Sequence, residues 1–518
     1  MNVKHTNSFT LKIPETEGEA IASLAALARQ SVVAADIETS GLNPFAPGGV
    51  IAGLAIYDPS TRDAYYLPLH HADISLGDSD AVRSELEDFL HRGSHIWHNG
   101  RFDILHLHKR YGIDLRKARP AGDTRILAKL TIAPPGWQRE RKNFYGLKEL
   151  AKRELGATWA KPDAVGEGQA QHVPAADVAE YAANDVRMTW MLHQHLWKRL
   201  DAKGQHLYEA LEMAVTPAFV EMEALGVACA TQHNLDELEE LRQHLVAGLG
   251  LRPGETVDGV IRSAKRMNEI IFGELGVPRN PPRLRKSKYG YKLDAHAFQR
   301  LAEYHGRQFP VLEDIITYKE AIRDAKQDEG VIEYMQPDGA IHPHWDQVGT
   351  DWGGVTSSSP STDIVRRCLA PQDGGYLLAI SYASHRDIIA DGWGKKLARG
   401  DAGATPWGRP VLIPGVGDKN TYLNKEAEDK RLPYHVGATM ADIVKTGLFF
   451  LWRSLGAFDA STGLNYRYLR PVAVLDDAII CEANHSMGAS SYQAQLRQVL
   501  SLKLGKLHIS PDFLPFRP

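Results

Sequence analysis

The chain has 518 residues, more than a single hydrophobic core usually supports, so two or more domains are expected. Its composition, with 43% hydrophobic and 24% charged residues, is ordinary for a globular protein. The net charge of −4 excludes a polycation, so any contact with nucleic acid would have to come from local basic patches.

The cysteines and the apolar runs narrow the class of protein further. Cys229, Cys368 and Cys481 are far apart and predict neither a zinc site nor a disulfide framework. The first residues lack the apolar stretch of a signal peptide, and the longest apolar run, near 447–452, is too short to span a bilayer. We therefore expect a cytoplasmic protein with no membrane partner.

The first two hundred residues predict an α/β domain that follows an N-terminal extension at 1–30. Residues 31–38 are apolar and β-branched and end in acidic residues, which is typical of a buried strand. Further strands are predicted at 50–58, 63–69 and 94–99, and helices at 79–91, 103–111, 123–131, 147–155 and 175–202. Strands that alternate with helices in this way indicate an α/β architecture.

A second region begins near residue 207. Helices dominate to about residue 327, and residues 331–382 are rich in strands and loops. Residues 392–431 are rich in Gly, Pro and Lys and predict a loop or linker. Beyond them the pattern predicts a helix at 437–455, a strand pair around Asp476 and Asp477, and a helix at 488–502.

Four carboxylates and one tyrosine in the first region point to metal-dependent chemistry. They are Asp36, Glu38, Asp103, Tyr181 and Asp185. Asp36 and Glu38 are two apart on a predicted strand and so share a face. Tyr181 precedes Asp185 by one helical turn. Carboxylates that converge in a fold repel each other unless cations neutralise them, so the pattern predicts divalent metal and phosphoryl chemistry.

In these contexts the chain resembles the DEDDy branch of the DnaQ-like 3′–5′ exonucleases, especially the proofreading domain of family A DNA polymerases. The resemblance covers about residues 31–203 and implies an RNase H-like fold, a mixed sheet flanked by helices. It implies two Mg²⁺ or Mn²⁺ ions, held by Asp36, Glu38 and Asp185 with help from Asp103. It also implies that the substrate-binding residues include Thr39, Leu42 and Asn99. RNase D-like enzymes carry the same acids, so the resemblance leaves RNA open as a substrate.

The second region, 204–518, resembles the polymerase domain of family A, the DNA polymerase I type. The resembling segments are 213–227, 337–361, 377–390 (motif A), 438–452 and 473–480 (motif C). The resemblance implies an α+β domain with a thumb at about 204–330, a palm at about 331–390 and 431–518, and reduced fingers at about 391–430.

The departures from that family predict a loss of polymerase activity. In our alignment Ile380 stands where motif A supplies a metal-binding aspartate, and His385 replaces its glutamate. Isoleucine cannot bind Mg²⁺. Motif C keeps Asp476, but its glutamate becomes Asp477. Too few residues separate Ile380 from Arg431 for the helical fingers that grip the incoming nucleotide.

Basic patches suggest that the second region still binds DNA. The principal one comprises Arg283, Arg285, Lys286, Lys288 and Tyr289, where cations suit phosphates and the ring suits base stacking. Another comprises Arg139, Arg141 and Lys142. An exposed basic loop of no function is the alternative for the principal patch.

The sequence therefore favours a 3′–5′ exonuclease that acts on DNA 3′ ends, single-stranded or in a primer–template, beside a polymerase-like binding platform. Two alternatives stay open, a compact family A polymerase with proofreading and a non-catalytic DNA-binding accessory protein. The sequence carries no indication of a protein partner.

Overall fold

The computed structural model describes most of the chain in two compact units. The described residues are 9–117, 120–133, 143–160, 168–229, 231–252, 254–280, 282–371, 375–399, 403–414, 416, 421–456, 469–484, 489–504 and 507–516. Unit 1 spans 1–227, 336–365 and 371–518, and unit 2 spans 228–335 and 366–370. Within unit 1 we call residues 9–201 the N-terminal half.

A six-stranded mixed sheet organises the N-terminal half, in the spatial order β1-β4-β3-β2-β5-β6. Its strands are β1 (Thr10–Lys12), β2 (Val33–Thr39), β3 (Ile51–Asp58), β4 (Asp63–Pro68), β5 (His95–Trp97) and β6 (Pro120–Asp123). Strands β2, β3 and β4 form an antiparallel meander, whereas β5 and β6 run parallel to β2. The order places β2 inside the sheet, where both of its edges are paired.

Six helices accompany this sheet among the described residues. They are α1 (Glu17–Leu27), α2 (Asp80–Arg92), α3 (Arg101–Tyr111), α4 (Thr124–Thr131), α5 (Leu147–Leu155) and α6 (Ala175–Trp197). Helix α5 packs on α6 rather than on the sheet itself. Alternation along β2 divides its side chains between two cores. Ala35 and Ile37 join the core that includes α1, α2 and α3, whereas Ala34 joins the core formed with α6.

The domain begins earlier than the sequence pattern predicts. Residues 1–30 were expected to be an extension, yet β1 pairs in parallel with β4, Thr10 opposite Asp63. Helix α1 starts with a capping box between Thr16 and Glu19 and packs with α2 through buried residues such as Leu24. A parallel pairing between segments fifty residues apart leaves no local sequence signal, so the extension and the domain could not be told apart.

The rest of unit 1 begins with helices and continues into short strands. Its helices are α7 (Ala202–Leu207), a π-helical stretch (Tyr208–Met213) and α8 (Ala214–Leu225), and later α15 (Arg386–Leu397), α16 (Thr421–Asp429), α17 (Arg431–Gly456) and α18 (Ala489–Leu500). Its strands are β10 (Ala340–Ile341), β11 (Trp345–Asp346), β12 (Thr356–Ser357), β13 (Gly375–Ser381), β14 (Leu469–Leu475), β15 (Ala478–Asn484), β16 (Leu502–Leu504), β17 (Leu507–Ile509) and β18 (Asp512–Pro515). Two elements, β7 (Val227–Ala228) and α14 (Thr362–Cys368), lie at the limits of the units.

Unit 1 contains a second large sheet, which is antiparallel and has four strands in the order β14-β15-β13-β18. Asp476 and Asp477 make the turn between β14 and β15, which confirms the strand pair predicted from the sequence. Asp476 has φ +51°, a left-handed conformation that aspartate tolerates in tight turns.

A fully buried ion cluster connects the loop at 403–414 to α17 and to the π-helical stretch at Tyr208–Met213. Arg409 donates to Asp442 at 2.7 Å and also contacts Glu212, while Lys445 donates to Glu212 at 2.6 Å. Burial alone would raise the pKa of Glu212, but the charges of Lys445 and Arg409 outweigh it and lower that pKa to about 2. Arg409 therefore ties the loop at 403–414 to α17.

Unit 2 is a helical body with one small hairpin. Its helices are α9 (Thr231–Gly248), α10 (Val257–Arg262), α11 (Ala264–Glu269), a π-helical turn (Ile270–Glu274), α12 (Ala295–His305) and α13 (Val311–Ile332). The hairpin consists of β8 (Lys286–Ser287) and β9 (Gly290–Tyr291). Residues 204–227, predicted to open a thumb, instead belong to unit 1, because α8 packs against α3 and α17. None of the helices in the described ranges combines the length and the apolar character that a membrane crossing needs.

Candidate active site

Strand β2 presents the first two acids. Asp36 and Glu38 lie two residues apart, on the face of β2 that packs toward α6. Opposite them on β3 are Ala55 and Gly53. A Cβ at Gly53 would stand 2.3 Å from the ring of Tyr66, so glycine is required to let that ring lie beneath the acids. The small residues thus leave room for carboxylates inside a sheet.

Helix α6 supplies Tyr181 and Asp185 from above this face. It packs on β2 and β3 through Val178, Ala182 and Val186. Those contacts turn Asp185 toward the strand acids, and ligand atoms of Asp36, Glu38 and Asp185 lie within 4.8 Å of one another. Within the described ranges this is the single group of three or more acidic, His or Cys residues with such spacing.

Asp103 lies on α3, and its side chain is hydrogen-bonded to the backbone of β2. Its Oδ1 accepts a hydrogen bond from the Ile37 amide at 3.0 Å, and its side chain is buried. The carboxylate therefore ties α3 to the strand between the two strand acids.

The site concentrates negative charge away from water. Desolvation raises the pKa of Asp36 well above its usual range, and the charges of Asp103 and Asp185 raise it further. Desolvation likewise raises the pKa of Asp103 to about 8, although the Ile37 amide opposes this. Such shifts favour either a proton or a cation at the site. The donor set, all carboxylate oxygen, is the one that hard divalent cations prefer.

Desolvation and Asp185 also raise the pKa of Tyr181, so its hydroxyl stays protonated across the working range of proteins. The hydroxyl is hydrogen-bonded to Asp185, and Lys148 lies 4.6 Å above the centre of the ring. Tyr181 is thus positioned as a hydrogen-bond donor beside the carboxylates.

The three predicted substrate-binding residues lie around the ends of β2 and β5. Thr39 ends β2, and its hydroxyl donates to the carbonyl of Gly41 at 2.8 Å. Leu42 follows it with 66% of its surface exposed, which is unusual for a large apolar side chain. Asn99 adopts a left-handed φ of +63° at the start of α3, and Arg125 donates to its side-chain oxygen at 3.0 Å.

Two residues outside the predicted set hold the site together. The Asp123 carboxylate accepts hydrogen bonds from the amides of Asn99 and Gly100 at 3.1 and 2.8 Å, and it also caps α4. The Trp159 indole donates to Asp185 at 2.5 Å. An aspartate immediately before the helical segment TRILAKLT is an N-cap signal, so Asp123 could have been found. Trp159 lies in an irregular loop, where no spacing rule identifies it.

Residues beyond the N-terminal half brace this arrangement. The buried Tyr208 hydroxyl accepts a hydrogen bond from the Asp123 amide at 2.5 Å and donates to the Asp123 carbonyl at 3.1 Å. Asp346 contacts Lys129 and lies 3.7 Å from Arg125. Arg125 and Asp123 are the residues that hold Asn99. Tyr208 and Asp346 therefore support, through these two residues, the start of the helix that carries Asp103.

The polymerase-like positions form a different kind of cluster. Ile380 is fully buried within β13, opposite Ile479, so it faces the core. Its neighbour Ser381 ends the strand opposite Ala478, beside the turn that carries Asp476 and Asp477. The Nε2 atom of His385 lies 2.8 Å from the carbonyl oxygen of Ser510, within hydrogen-bond distance. Among the residues at the end of β13, it is therefore Ser381 and not Ile380 that lies beside the turn with Asp476 and Asp477.

The principal basic patch lies on the hairpin of unit 2. Its members Arg283, Arg285, Lys286, Lys288 and Tyr289 are all exposed. Tyr289 is 50% exposed with Lys288 above its ring, whereas Tyr291 packs on Phe272 at 5.2 Å. The second patch, Arg139, Arg141 and Lys142, lies outside the described residues.

Residues 11–201 match the family model described as 3′–5′ exonuclease. This segment, which contains the whole carboxylate site, is therefore a 3′–5′ exonuclease domain of the type found in family A DNA polymerases. The exonuclease domains of this family use divalent metals, and the cluster of Asp36, Glu38 and Asp185 fits such an ion.

Beyond that segment the chain resembles DNA polymerase I. It is 26% identical over 397 residues to DNA polymerase I of Chloroflexus aurantiacus, covering 71% of this chain and 40% of that protein. It is 26% identical over 374 residues to DNA polymerase I of Treponema pallidum, covering 64% and 35%. The chain thus spans two fifths or less of these relatives.

A solved structure extends the likeness to nearly the whole fold. The POL domain of Pol1 from M. smegmatis, in complex with a DNA primer–template and dNTP, matches 97% of this chain and 98% of that chain with a TM-score of 0.60 and 17% identity. The expected fold class is confirmed, an RNase H-like exonuclease domain followed by an α+β polymerase-like domain.

Divalent cations are expected to raise the melting temperature more near pH 8 than near pH 5. The folded-state pKa of Asp103, about 8, exceeds its ordinary value of 3.8. Its contribution to stability without metal is therefore full below about pH 4 and is lost as pH rises through about 8. A bound cation displaces the proton, so its stabilising effect grows with pH. Thermal melts in EDTA and in Mg²⁺ measure this, and an equal gain at both pH values, or a gain that survives Asp185→Asn, contradicts it.

Tyr208→Phe is expected to lower the free energy of unfolding by about 1–3 kcal/mol, because the buried Asp123 amide loses its acceptor. Denaturant melts measure the change. Tyr65→Phe is the matched control, since that hydroxyl contacts the exposed Lys12 at 3.2 Å and little change is expected. Equal losses in the free energy of unfolding for the two variants would show that the Tyr208 hydroxyl does not stabilise the Asp123 backbone.

Proposed function

We propose that this protein is a metal-dependent 3′–5′ exonuclease that releases nucleoside monophosphates from DNA 3′ ends. The observation that carries the proposal is the convergence of Asp36, Glu38 and Asp185 within 4.8 Å, with Asp103 buried beside them. The cofactors would be two Mg²⁺ or Mn²⁺ ions. Bound by these acids, such ions neutralise phosphate charge and make water a stronger nucleophile.

The side chains around the acids have roles that follow from their positions. Tyr181 keeps its proton and so can hold the attacking water by a hydrogen bond. The exposed Leu42 offers an apolar surface to the terminal base, and Thr39 lies between it and the acids. Asn99 is held by hydrogen bonds to Asp123 and Arg125, so its side-chain amide has a fixed position from which to contact the nucleic-acid strand.

The polymerase-like part would serve as a nucleic-acid platform. In unit 2 the exposed cations Arg283, Arg285, Lys286 and Lys288 surround Tyr289, an arrangement suited to phosphates and a stacked base. The likeness to a polymerase domain solved with a primer–template supports DNA as the ligand.

A 5′-labelled primer, alone and annealed to a longer template, tests the activity. With Mg²⁺ we expect a ladder of shortened products. Asp36→Ala should abolish the ladder, because it removes a carboxylate that would hold the ion. Tyr181→Phe should slow the reaction by about 10²–10³-fold, on the order of the loss of one positioned hydrogen-bond donor. Asp80→Ala, which removes a fully exposed carboxylate on α2, is the control and should match the parent.

Other outcomes would favour the rival functions. Products longer than the primer, when all four dNTPs are present, would identify a compact polymerase. Binding without degradation in Mg²⁺ or Mn²⁺ would identify an accessory protein. A labelled RNA strand in parallel decides between the two nucleic acids.

Lys286→Ala combined with Lys288→Ala should weaken primer–template binding and lower the salt slope of log K by up to about 2, since each phosphate contact contributes about 0.9. Fluorescence anisotropy over a range of KCl concentrations measures the slope. Lys265→Ala is the control, because Lys265 is exposed on the same unit and lies outside the hairpin. An unchanged slope in the double variant would remove the hairpin from the interface.

A further inference from the structure

The turn between β14 and β15 carries two adjacent carboxylates, Asp476 and Asp477, near the guanidinium group of Arg386. Arg386, the first residue of α15, donates from Nε to Asp477 at 2.8 Å and from Nη2 at 3.0 Å. This two-point geometry matches a guanidinium to a carboxylate. The Asp477 side chain is 12% exposed and the Arg386 side chain 48% exposed, so the carboxylate is largely shielded from water while the guanidinium stays partly solvated.

The backbone holds both partners in place. The Tyr382 amide donates to the Asp477 carbonyl at 2.9 Å, which fixes the end of β13 against the turn. The Tyr382 hydroxyl donates to the Leu500 carbonyl at 3.1 Å, so this strand end is also anchored to α18. Arg386 follows four residues later and therefore starts its helix beside the carboxylate. The backbone positions of Arg386 and Asp477 are thus fixed by the fold, which keeps the two side chains within reach of each other.

Asp476 completes the electrostatic environment of Arg386. Its charge acts with that of Asp477 to raise the pKa of Arg386, and its backbone lies in the left-handed turn. One fixed positive charge thus stands before two carboxylates, where a divalent polymerase site would need a hard cation and more oxygen ligands.

The donor set here does not fit a divalent ion. The last residues of β13 and the following turn are Ser381, Tyr382 and Ala383, none of which carries a carboxylate. Asp512 on β18 is opposite Ser381, yet it does not join Asp476 and Asp477 in any group of three ligands within 4.8 Å among the described residues. A metal ion would also have to displace a guanidinium bound at two points.

We propose that Arg386 stands in place of the divalent cation of the polymerase-like site, so that the carboxylate of Asp477 is neutralised internally and the turn at Asp476 and Asp477 binds no metal. This inference rests on the proposed role of the polymerase-like part as a nucleic-acid platform and deepens it, because a site without a metal ion would not add nucleotides. It does not depend on the exonuclease chemistry, which uses other residues more than a hundred positions away in sequence.

Mn²⁺ binding measured by electron paramagnetic resonance tests the inference. The parent for this experiment is the full chain with Asp36→Asn, Glu38→Gln and Asp185→Asn, which silences the exonuclease acids. We expect no bound Mn²⁺ at submillimolar concentrations. Adding Ser381→Asp and Arg386→Glu should create one bound Mn²⁺ per chain, which Asp477→Asn should then abolish. Arg386→Lys in place of Arg386→Glu keeps the positive charge and should leave the protein without the ion.

Three results would overturn the inference. The first is a Mn²⁺ ion in the silenced parent that Asp477→Asn removes. The second is the absence of binding in a well-folded variant with Ser381→Asp and Arg386→Glu, whose fold circular dichroism and melting would verify. The third is templated primer extension by the unmodified protein. A protein that fails to degrade DNA would disprove the exonuclease proposal and leave these three results unaffected.

Discussion

Repulsion among the carboxylates on β2, α3 and α6 is the constraint on which the exonuclease domain depends. Two unit charges 4.8 Å apart repel by about 3–4 kcal/mol at an effective dielectric constant of about 20. The charged neighbours acting on Asp36 are other acids, and desolvation adds to their effect. A fold that keeps such groups together needs rigid support from elsewhere. Both edges of β2 are paired, and Asp103 is bonded to its backbone at Ile37.

Part of that support comes from the polymerase-like region of unit 1. Glu223 pairs with Arg101 at the start of α3, and Glu221 lies 3.0 Å from Arg116 just beyond its end. Tyr208 reaches Asp123, the residue that holds the amides before α3. The helix that carries Asp103 is thus contacted at both ends from outside the exonuclease domain. The polymerase-like region of unit 1 therefore supports the position of Asp103 through contacts that need no nucleotide chemistry.

The convergence of Asp36, Glu38 and Asp185 could be predicted from the sequence because its signals are local. Asp36 and Glu38 share a strand face, and Tyr181 and Asp185 share a helix face, so spacing alone indicated their partners. Pairings distant in sequence were not accessible in this way, as β1 beside β4 shows. The position of motif A on β13 is another feature that spacing alone does not fix. Successive residues of a strand face opposite sides of the sheet, so Ile380 lies in the core whereas Ser381 lies beside the turn.

The two carboxylate clusters of this chain show how the neighbouring charge decides what an acidic pair can do. Asp36 is faced by further acids, so its pKa is raised and a cation from solution lowers the energy of the site. Asp477 is faced by Arg386, so its charge is already balanced and an added cation would have to break a two-point ion pair. Both clusters involve strands of mixed or antiparallel sheets, and both contain adjacent or alternate acids. The difference arises from one side chain at the start of α15, which makes the presence of carboxylates alone an insufficient sign of a metal site.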